Sequence, residues 1–309
     1  MNKKQPILVT GAHRSGTTWV GKTLSASDQL AYISEPLNVL HRPGVMRAPV
    51  RHWYTYICEQ NEDQYLPSLK ETLIFNYHAW AEVKSLRSSK DAARMGRDWR
   101  NFSRARRNNL RPLLKDPFAV FSSPWFSQRL GCQVIVLVRH PAAFVSSLKR
   151  LVWSFDFNHL LQQPLLMKDW LYPFQGEMEI MSENPEDIIA GGSLLWRMIY
   201  HVVNAYRGTV HDLLLVRHED LSRDPLGGFR DLCANVSIEF TPGLQRFVEE
   251  SSSPSNPGEL SRRSVHGTTL DSRSNIDNWK QRLTPEEVTR VMELTGDVAA
   301  IYYTDQDWE

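Results

Sequence analysis

The segment from Gly11 to Trp19 has the residue types and spacing of an anion-binding loop. Its sequence is Gly-Ala-His-Arg-Ser-Gly-Thr-Thr-Trp, and it lies between the apolar run 7–10 and a stretch with helical patterning. Glycines permit a tight turn, and backbone amides at the start of a helix attract anions. We therefore predict a phosphate-binding loop whose ligand-binding residues are His13, Arg14, Ser15, Gly16, Thr17, Thr18 and Trp19.

The residue after Gly16 narrows the class of ligand. The spacing of Gly11 and Gly16 matches a Walker loop, but Thr17 stands where a nucleoside triphosphatase needs a lysine for the β- and γ-phosphates. Arg14 can supply the cation from inside the loop to a donor that has a single 5′-phosphate and one transferable group. A P-loop nucleotide kinase or NTPase is the main alternative enzyme, and the missing lysine disfavours it.

A second candidate anion site follows the apolar run 134–138. Arg139 comes directly after this run, and Pro141 is typical of a first helical position because its missing N–H would have no partner there. Arg139 is therefore expected at the carboxyl end of a strand, where open α/β sheets bind ligands. Ser147 is expected two turns into the following helix.

The segment from Arg14 to Trp19 resembles the 5′-phosphosulfate loop of sulfotransferases that use 3′-phosphoadenosine 5′-phosphosulfate (PAPS). Its motifs are most similar to the carbohydrate and tyrosylprotein branch, which has arginine at the position of Arg14. The resemblance implies PAPS as donor substrate, adenosine 3′,5′-bisphosphate as product, and no metal. In the family, an arginine and a serine eight residues later bind the 3′-phosphate, and Arg139 and Ser147 match this pair.

Two weaker matches lie towards the C-terminus. The segment around His218 resembles one in which a tyrosine helps to hold the adenine, and His218 replaces that tyrosine. The segment from Arg273 to Lys280 resembles a loop that closes over the 3′-phosphate. It is one residue shorter and lacks the family's glycines and Arg-Lys pair, so Arg273 and Lys280 are the candidate cations.

The resemblance also implies which residues catalyse the transfer. Glu35 falls where the tyrosylprotein and carbohydrate branches have a glutamate, and is the candidate base. Lys115 resembles the lysine that neutralises the leaving oxygen, and with Arg14 it is expected to flank the transferring group. Asp116 and Pro117 stand where the cytosolic branch has its catalytic histidine, which disfavours that mechanism. His13 is a reserve base, since an unperturbed imidazole has a pKa near ~6.5.

Three continuous apolar runs, 7–10, 134–138 and 213–216, are typical of central parallel strands buried on both faces. They alternate with helical patterns, which predicts an α/β fold: a P-loop-like parallel β-sheet flanked by helices. At 309 residues and 41% hydrophobic content, we expect one domain over 1–309. The long regions 40–125 and 151–190 are candidate helical insertions that form the acceptor site.

The composition argues against several classes of protein. The net charge of +1 gives the whole molecule little electrostatic attraction for anions. Three widely spaced cysteines, Cys58, Cys132 and Cys233, favour neither a disulfide framework nor a zinc site. The polar residues 1–6 leave no room for a signal peptide, and no apolar run is long enough for a membrane span, so we predict a cytoplasmic protein.

The acceptor is less well determined. Residues 84–111 contain ten basic side chains and two acidic ones. A helical face formed by these cations is expected either to steer an anionic acceptor such as an acidic or sulfated glycan, or to be a solvated surface. For the tryptophans of the same insertions there are three interpretations: they stack on a sugar, they hold an apolar acceptor, or they belong to the core. The basic residues at spacings compatible with one face are Arg87, Lys90, Arg94, Arg97, Arg104, Arg107 and Arg111.

Two non-enzymatic alternatives stay open at this point. A nucleic-acid-binding protein would use the same basic residues and would bind with a steep salt dependence. A non-catalytic PAPS-binding protein is disfavoured by the joint presence of Arg14, Glu35 and Lys115. We expect no nucleic-acid partner; acceptor identity and oligomeric state do not follow from the sequence.

Overall fold

A computed structural model of the chain describes residues 5–40, 42–259 and 267–309. Within these ranges it contains one parallel sheet of five strands, in the order β2-β3-β1-β4-β5. Residues 1–4, part of the segment on which the signal-peptide prediction depends, lie outside the described residues. The strands are β1 (Ile7–Gly11), β2 (Leu30–Ser34), β3 (Arg111–Lys115), β4 (Gln133–Val138) and β5 (Leu213–Arg217).

Helices cover both faces of the sheet, which confirms the predicted α/β class. In chain order the α-helices are α1 (Thr17–Ser25), α2 (Leu66–Leu73), α3 (Ala79–Val83), α4 (Ser89–Arg107), α5 (Ser123–Leu130), α6 (Pro141–Leu151), α7 (Asn158–Leu161), α8 (Pro164–Leu166), α9 (Gln175–Glu183), α10 (Ile188–Tyr206), α11 (His218–Arg223), α12 (Pro225–Asn235), α13 (Pro242–Ser252), α14 (Asn278–Arg282) and α15 (Pro285–Ala299). None of these helices is long and apolar enough to cross a membrane.

Alternate residues of each central strand enter different hydrophobic clusters. Ile7 and Val9 of β1 pack with Val20 of α1 and Phe229 of α12 on one face of the sheet. Leu8 belongs to the larger cluster on the opposite face, which includes side chains of α6, α10 and α15. This two-sided burial explains why β1 and β4 are continuously apolar in the sequence.

The strand predictions were correct for β1 and β4 and need two corrections elsewhere. β5 is an edge strand whose residues are only partly buried, although the run 213–216 was predicted to be central. Conversely, β3 is fully buried between β2 and β1, inside the region 40–125 that was predicted to be a helical insertion. Its apolar run is only Pro112 to Leu114, with a cation at each end, so the pattern is too short to predict a strand.

The predicted basic helical face is shorter than expected. α4 begins at Ser89, so Arg87 precedes it, and Arg111 belongs to β3 instead of the helix. The Arg111 guanidinium is mostly buried and donates hydrogen bonds to the carbonyls of Gln5 and Val236, so it is a structural group.

The parallel strands bring several candidate residues to one edge of the sheet. Glu35 directly follows β2, Lys115 ends β3, and Arg139 directly follows β4. The predicted phosphate loop follows β1, and His218 begins α11 after β5. All parallel strands end at the same edge, so these five positions are neighbours although they are far apart in the sequence.

Gly11 provides a test of how tightly the loop is held to β4. Its φ is +137° and an added Cβ would lie 2.3 Å from the Leu137 carbonyl oxygen, whereas Gly131 has φ +65° and no atom within 4 Å of an added Cβ. We expect Gly131→Ala to lower the free energy of unfolding by roughly 1–2 kcal/mol, and Gly11→Ala by about 2 kcal/mol more. Urea denaturation of both variants measures the difference. Equal losses would contradict the close approach.

Candidate active site

A cavity of about 510 Å³ opens at the carboxyl edge of the sheet. Its lining comes from the loop after β1, the ends of β2 and β4, helix α6, the start of α11 and the segment before α14. The structure therefore brings together most of the side chains that the sequence singled out. Those that line the cavity are His13, Arg14, Gly16, Thr17, Thr18, Trp19, Glu35, Arg139, Ser147 and His218.

The loop after β1 is a turn into the N-terminus of α1. Gly11, Arg14 and Gly16 all have positive φ, and Gly16 is the residue that caps α1. The Ser15 amide donates to the carbonyl of Ala12 at 3.2 Å, which closes the turn. This geometry points the first amides of α1 and the Arg14 side chain at the same region, as an anion site requires.

A tyrosine that the sequence analysis did not identify holds this loop to the sheet. The buried Tyr200 hydroxyl of α10 donates to the carbonyl of Leu137 at 2.8 Å. It accepts the backbone N–H of Ala12 at 3.3 Å and contacts the Ser15 hydroxyl at 3.1 Å. Ser15 is thus a support of the loop and does not line the cavity.

His218 lies against the loop, as a residue that contacts a nucleotide base would. A Cβ added to Gly16 would be 2.5 Å from His218 Cδ2, so only glycine permits this approach. The His218 and Trp19 rings lie 5.9 Å apart, and burial, followed by the charge of Arg139, lowers the pKa of His218 well below its ordinary value. The two rings are tilted by 56°, so the neutral imidazole and the indole each offer a separate ring face to a base.

Arg139 is held at the end of β4 by groups around it. Its Nη1 donates to the carbonyl of Arg14 at 3.0 Å, and its Nη2 contacts Asn275 Oδ1 at 3.4 Å. Among the described residues, its buried Nε–H has no hydrogen-bond acceptor. A buried, unpaired guanidinium N–H is costly, so this group fits an anionic ligand in the cavity.

Three other guanidinium groups lie near that of Arg14. Burial, followed by the charges of Arg139, Arg150 and Arg282, lowers the pKa of Arg14 to about 10. Arg14 Nε also donates to Ser147 Oγ at 3.2 Å. Such like-charge crowding favours the binding of a multiply charged anion.

Arg150 and Arg282 are functional candidates that the sequence analysis missed. Both line the cavity, and both pair with Glu259, at 3.4 Å and 2.5 Å respectively. Arg150 follows Ser147 by three residues on α6, so the helical spacing was a usable signal. Arg282 ends α14, and only the fold brings it to α6.

Glu35 and Lys115 form an ion pair at the ends of β2 and β3. The Glu35 amide donates to the Lys115 carbonyl at 2.8 Å, and Lys115 Nζ contacts the Glu35 carboxylate. Asn38 Nδ2 donates to the other carboxylate oxygen at 2.7 Å. Lys115 is buried and does not line the cavity, so here it contacts Glu35 and not the region predicted for the leaving oxygen.

Asp116 supports the segment that carries Glu35. Its carboxyl oxygens accept the backbone N–H of Leu37 at 2.6 Å and of Phe118 at 3.0 Å. Burial, followed by the charge of Glu35, raises the pKa of Asp116 to about 7. Asp116 therefore has a structural role, because it holds the backbone that follows Glu35.

His13 is a partly buried imidazole in contact with Tyr54. The Tyr54 hydroxyl accepts the His13 backbone N–H at 3.1 Å and lies 2.6 Å from His13 Nδ1. Burial, followed by the charge of Arg14, lowers the pKa of His13 to about 4. This lowered pKa makes His13 neutral near pH 7 and a weaker base than an unperturbed imidazole.

A family model described as "Sulfotransferase family" matches residues 6–242, more than half of the chain. The protein belongs to the sulfotransferase family. Family membership confirms the resemblance seen in the phosphate loop and supports a transferase activity.

Curated relatives match over a shorter part of the sulfotransferase. Carbohydrate sulfotransferase 5 of Mus musculus is 38% identical over 82 residues, which cover 26% of this chain and 20% of that protein. Carbohydrate sulfotransferase 6 of Homo sapiens is 35% identical over 81 residues, which again cover 26% of this chain and 20% of that protein. The matched part thus spans about a fifth of the length of these relatives.

Solved structures of other sulfotransferases align along most of the chain. The sulfotransferase domain from the Synechococcus PCC 7002 olefin synthase has a TM-score of 0.47 at 18% identity, covering 99% of this chain and 98% of that one. Mouse sulfotransferase SULT7A1 complexed with PAP has a TM-score of 0.44 at 13% identity, and the alignment covers 98% of this chain and 86% of that one. Likenesses this distant add nothing about activity to the family match.

The sulfotransferase places Arg273 and Lys280 outside the main cavity. Both line a second cavity beside His140, where Arg273 Nε donates to the Arg223 carbonyl at 3.2 Å and Lys280 pairs with Asp277 at 3.0 Å. The predicted closure over a 3′-phosphate by these two cations is therefore not the arrangement observed. The segment from Arg273 to Lys280 is shorter than the family's loop. Together with its flanking residues it contributes Ser272, Asn275 and Arg282 to the main cavity instead.

The neutral state of His13 predicts a specific pH dependence. Its folded pKa of about 4 is below the unfolded value of 6.5, so its contribution to stability is complete above pH 6.5 and is lost as the pH falls through 4. Between pH 7.5 and pH 5 we expect His13→Gln to lose about 2 kcal/mol less stability than the wild type. Urea denaturation at both pH values measures this, with the exposed His211→Gln as control. An unchanged difference would mean that His13 titrates normally.

Proposed function

We propose that this sulfotransferase transfers a sulfuryl group from PAPS to an acceptor hydroxyl and releases adenosine 3′,5′-bisphosphate. The observation that carries the proposal is the joining of two anion sites in one cavity. The helix N-terminus at Gly16 lies at one position, and the cluster of Arg139, Ser147 and neighbouring arginines lies beside it. A nucleotide phosphorylated on both its 5′ and 3′ oxygens matches this pair of sites.

The lining residues divide naturally among the parts of the donor. The loop amides from Gly16 to Thr18 and the Arg14 side chain would hold the 5′-phosphosulfate. Arg139, with its unpaired Nε–H, and Ser147 would hold the 3′-phosphate, with Arg150 and Arg282 nearby. Trp19 and His218 offer flat surfaces to the adenine.

The transfer requires one bond to form and one to break. The acceptor oxygen bonds to sulfur, the bond from sulfur to the bridging oxygen breaks, and that oxygen keeps the electron pair as part of the product phosphate. Glu35 accepts the hydroxyl proton, and Arg14 offsets the charge on the leaving phosphate. His13 lines the cavity beside Glu35 and stays the reserve base, and Lys115 is a positioning residue that holds Glu35.

The remaining sequence predictions stand as proposals. An anionic glycan acceptor has little support inside the cavity, because none of the cations in 84–111 lines it. We also propose one domain for residues 1–309, since both hydrophobic clusters share the sheet, and keep the cytoplasmic location as a prediction. No observation favours the kinase, the nucleic-acid-binding or the non-catalytic alternative.

Binding of the product tests the donor site. Adenosine 3′,5′-bisphosphate at about 100 times its Kd should add ~2.7 kcal/mol of stability and raise the Tm, whereas ATP with magnesium should not. Arg139→Ala should abolish this rise because the 3′-phosphate loses its buried partner. Arg273→Ala, which removes a cation outside the main cavity, is the matched control and should keep it. Stabilisation by ATP alone would overturn the proposal in favour of a kinase.

Glu35→Gln tests the proposed base. The amide keeps the size of the side chain but does not accept a proton, so kcat with labelled PAPS should fall by about 10²–10⁴-fold. The Kd for adenosine 3′,5′-bisphosphate should stay within a few-fold of the wild type, because Glu35 is not placed at the nucleotide. A variant with undiminished turnover would show that another group takes the proton.

A further inference from the structure

Aromatic side chains surround the part of the cavity that contains His13 and Glu35. The ring centroids of His13 and Phe118 lie 6.4 Å apart at an interplanar angle of 26°, and the Trp53 ring lies 4.4 Å from that of Phe118. Phe118 and Trp53 both line the cavity, and the Glu35 carboxylate is near enough to His13 to act on its pKa. A molecule with its hydroxyl at Glu35 would therefore lie against these rings.

Apolar side chains also form the rim of this region. Leu40, after β2, is 72% exposed, and Trp153, just after α6, is 40% exposed; both line the cavity. Phe155 lines it too, with its ring 5.7 Å from that of Tyr54. Large apolar side chains exposed together at the mouth of a pocket are typical of a site for an apolar ligand.

Arg139, Arg150 and Arg282 belong to the other part of the cavity, and Arg14 lies at the border, 5.9 Å from the centroid of the Trp153 ring. Arg150 and Arg282 pair with Glu259, and Arg139 contacts Arg14 and Asn275. No residue of 84–111, all of which the structure describes, lines the cavity. Among the described residues, an anionic group on the acceptor would meet the Glu35 carboxylate there, and the two cations beside it are engaged: Lys115 pairs with Glu35, and the proposed function assigns Arg14 to the donor.

The polar groups beside Glu35 are already engaged. The Asn38 amide donates to Glu35 at 2.7 Å, and its oxygen accepts the backbone N–H of Leu40 at 2.8 Å. A sugar has several hydroxyls that need partners when they leave water, and this wall gives them few beyond Ser154. An aromatic ring needs only the ring faces that the wall supplies.

The chemistry of the proposed base favours the same kind of acceptor. A carboxylate is a weak base, and a phenolic hydroxyl, with a pKa of about 10, is a stronger acid than a sugar hydroxyl. Proton transfer to Glu35 during attack is therefore easier from a phenol. The cavity of about 510 Å³ also has to hold the nucleotide, so the acceptor within it is small.

We infer that the acceptor is a small, uncharged phenol bound between Trp53, Phe118 and Trp153 with its hydroxyl at Glu35. This inference rests on the proposed function. The phenolic oxygen forms the bond to sulfur, its proton goes to Glu35, and adenosine 3′,5′-bisphosphate leaves with the electron pair of the broken bond. The product is an aryl sulfate.

Three acceptors test the inference with labelled PAPS: 2-naphthol, 6-hydroxynaphthalene-2-sulfonate and N-acetylglucosamine. The first two share a ring system and differ by one anionic group. We expect kcat/KM for 2-naphthol to exceed both others by at least about tenfold, which corresponds to about 1.4 kcal/mol. Preference for the sulfonate or for the sugar would overturn the inference.

Trp153→Ala locates the binding surface, with Trp99→Ala as matched control. Trp99 lies on α4, is 53% exposed and does not line the cavity. We expect Trp153→Ala to weaken the binding of 2-naphthol to the complex with adenosine 3′,5′-bisphosphate by about tenfold or more, measured by calorimetry. Trp99→Ala should change neither this Kd nor that of the nucleotide. Equal effects of the two variants would contradict the proposed surface.

The outcomes distinguish a failure of the inference from a failure of the proposed function. If the nucleotide stabilises the protein and sugars or sulfonates are sulfated while 2-naphthol is not, the inference fails and the proposed function stands. If the nucleotide binds and 2-naphthol is neither bound nor sulfated, the inference likewise fails. If the nucleotide does not bind in a manner that depends on Arg139, the proposed function itself fails.

Discussion

Parallel pairing of β1 with β3 and β4 is the constraint on which the site depends. The register opposes Val9 to Lys115 and Gly11 to Leu137, so the phosphate loop begins beside the ends of both neighbouring strands. Because all five strands end at one edge, groups from distant parts of the chain meet there. The absence of a side chain at Gly11 allows the closest of these approaches.

Charge is distributed unequally along the cavity that this edge creates. Arg14, Arg139, Arg150 and Arg282 crowd one part, and Glu259 offsets only some of their charge. Burial makes this arrangement costly without an anion, which is the physical reason to expect a ligand of high negative charge. Arg14 also borders the other part, where its guanidinium lies over the Trp153 ring; that part has aromatic walls and the carboxylate of Glu35, so the two parts are adapted to chemically different molecules.

Some sequence predictions failed because the local pattern did not contain the deciding information. β3 has only three apolar residues between two cations, and Arg111 is buried because backbone carbonyls of distant segments receive its hydrogen bonds. The run 213–216 is as apolar as a central strand, but its place at the sheet edge depends on strand order. Lys115 lies beside Glu35 because β2 and β3 are paired, which no spacing in the sequence shows.

The sequence by itself determined the glycine-bounded turn from β1 into α1, the positions of Arg139 after β4 and of Ser147 in α6, the α/β class and the family. These features consist of residues close together in the chain, where spacing dictates local geometry. Only the tertiary structure decided that Arg150 and Arg282 line the main cavity, that Arg273 and Lys280 do not, and that the Tyr54 hydroxyl contacts His13. These contacts join segments separated by tens of residues or more, so they depend on strand order and helix packing, which local patterns do not encode.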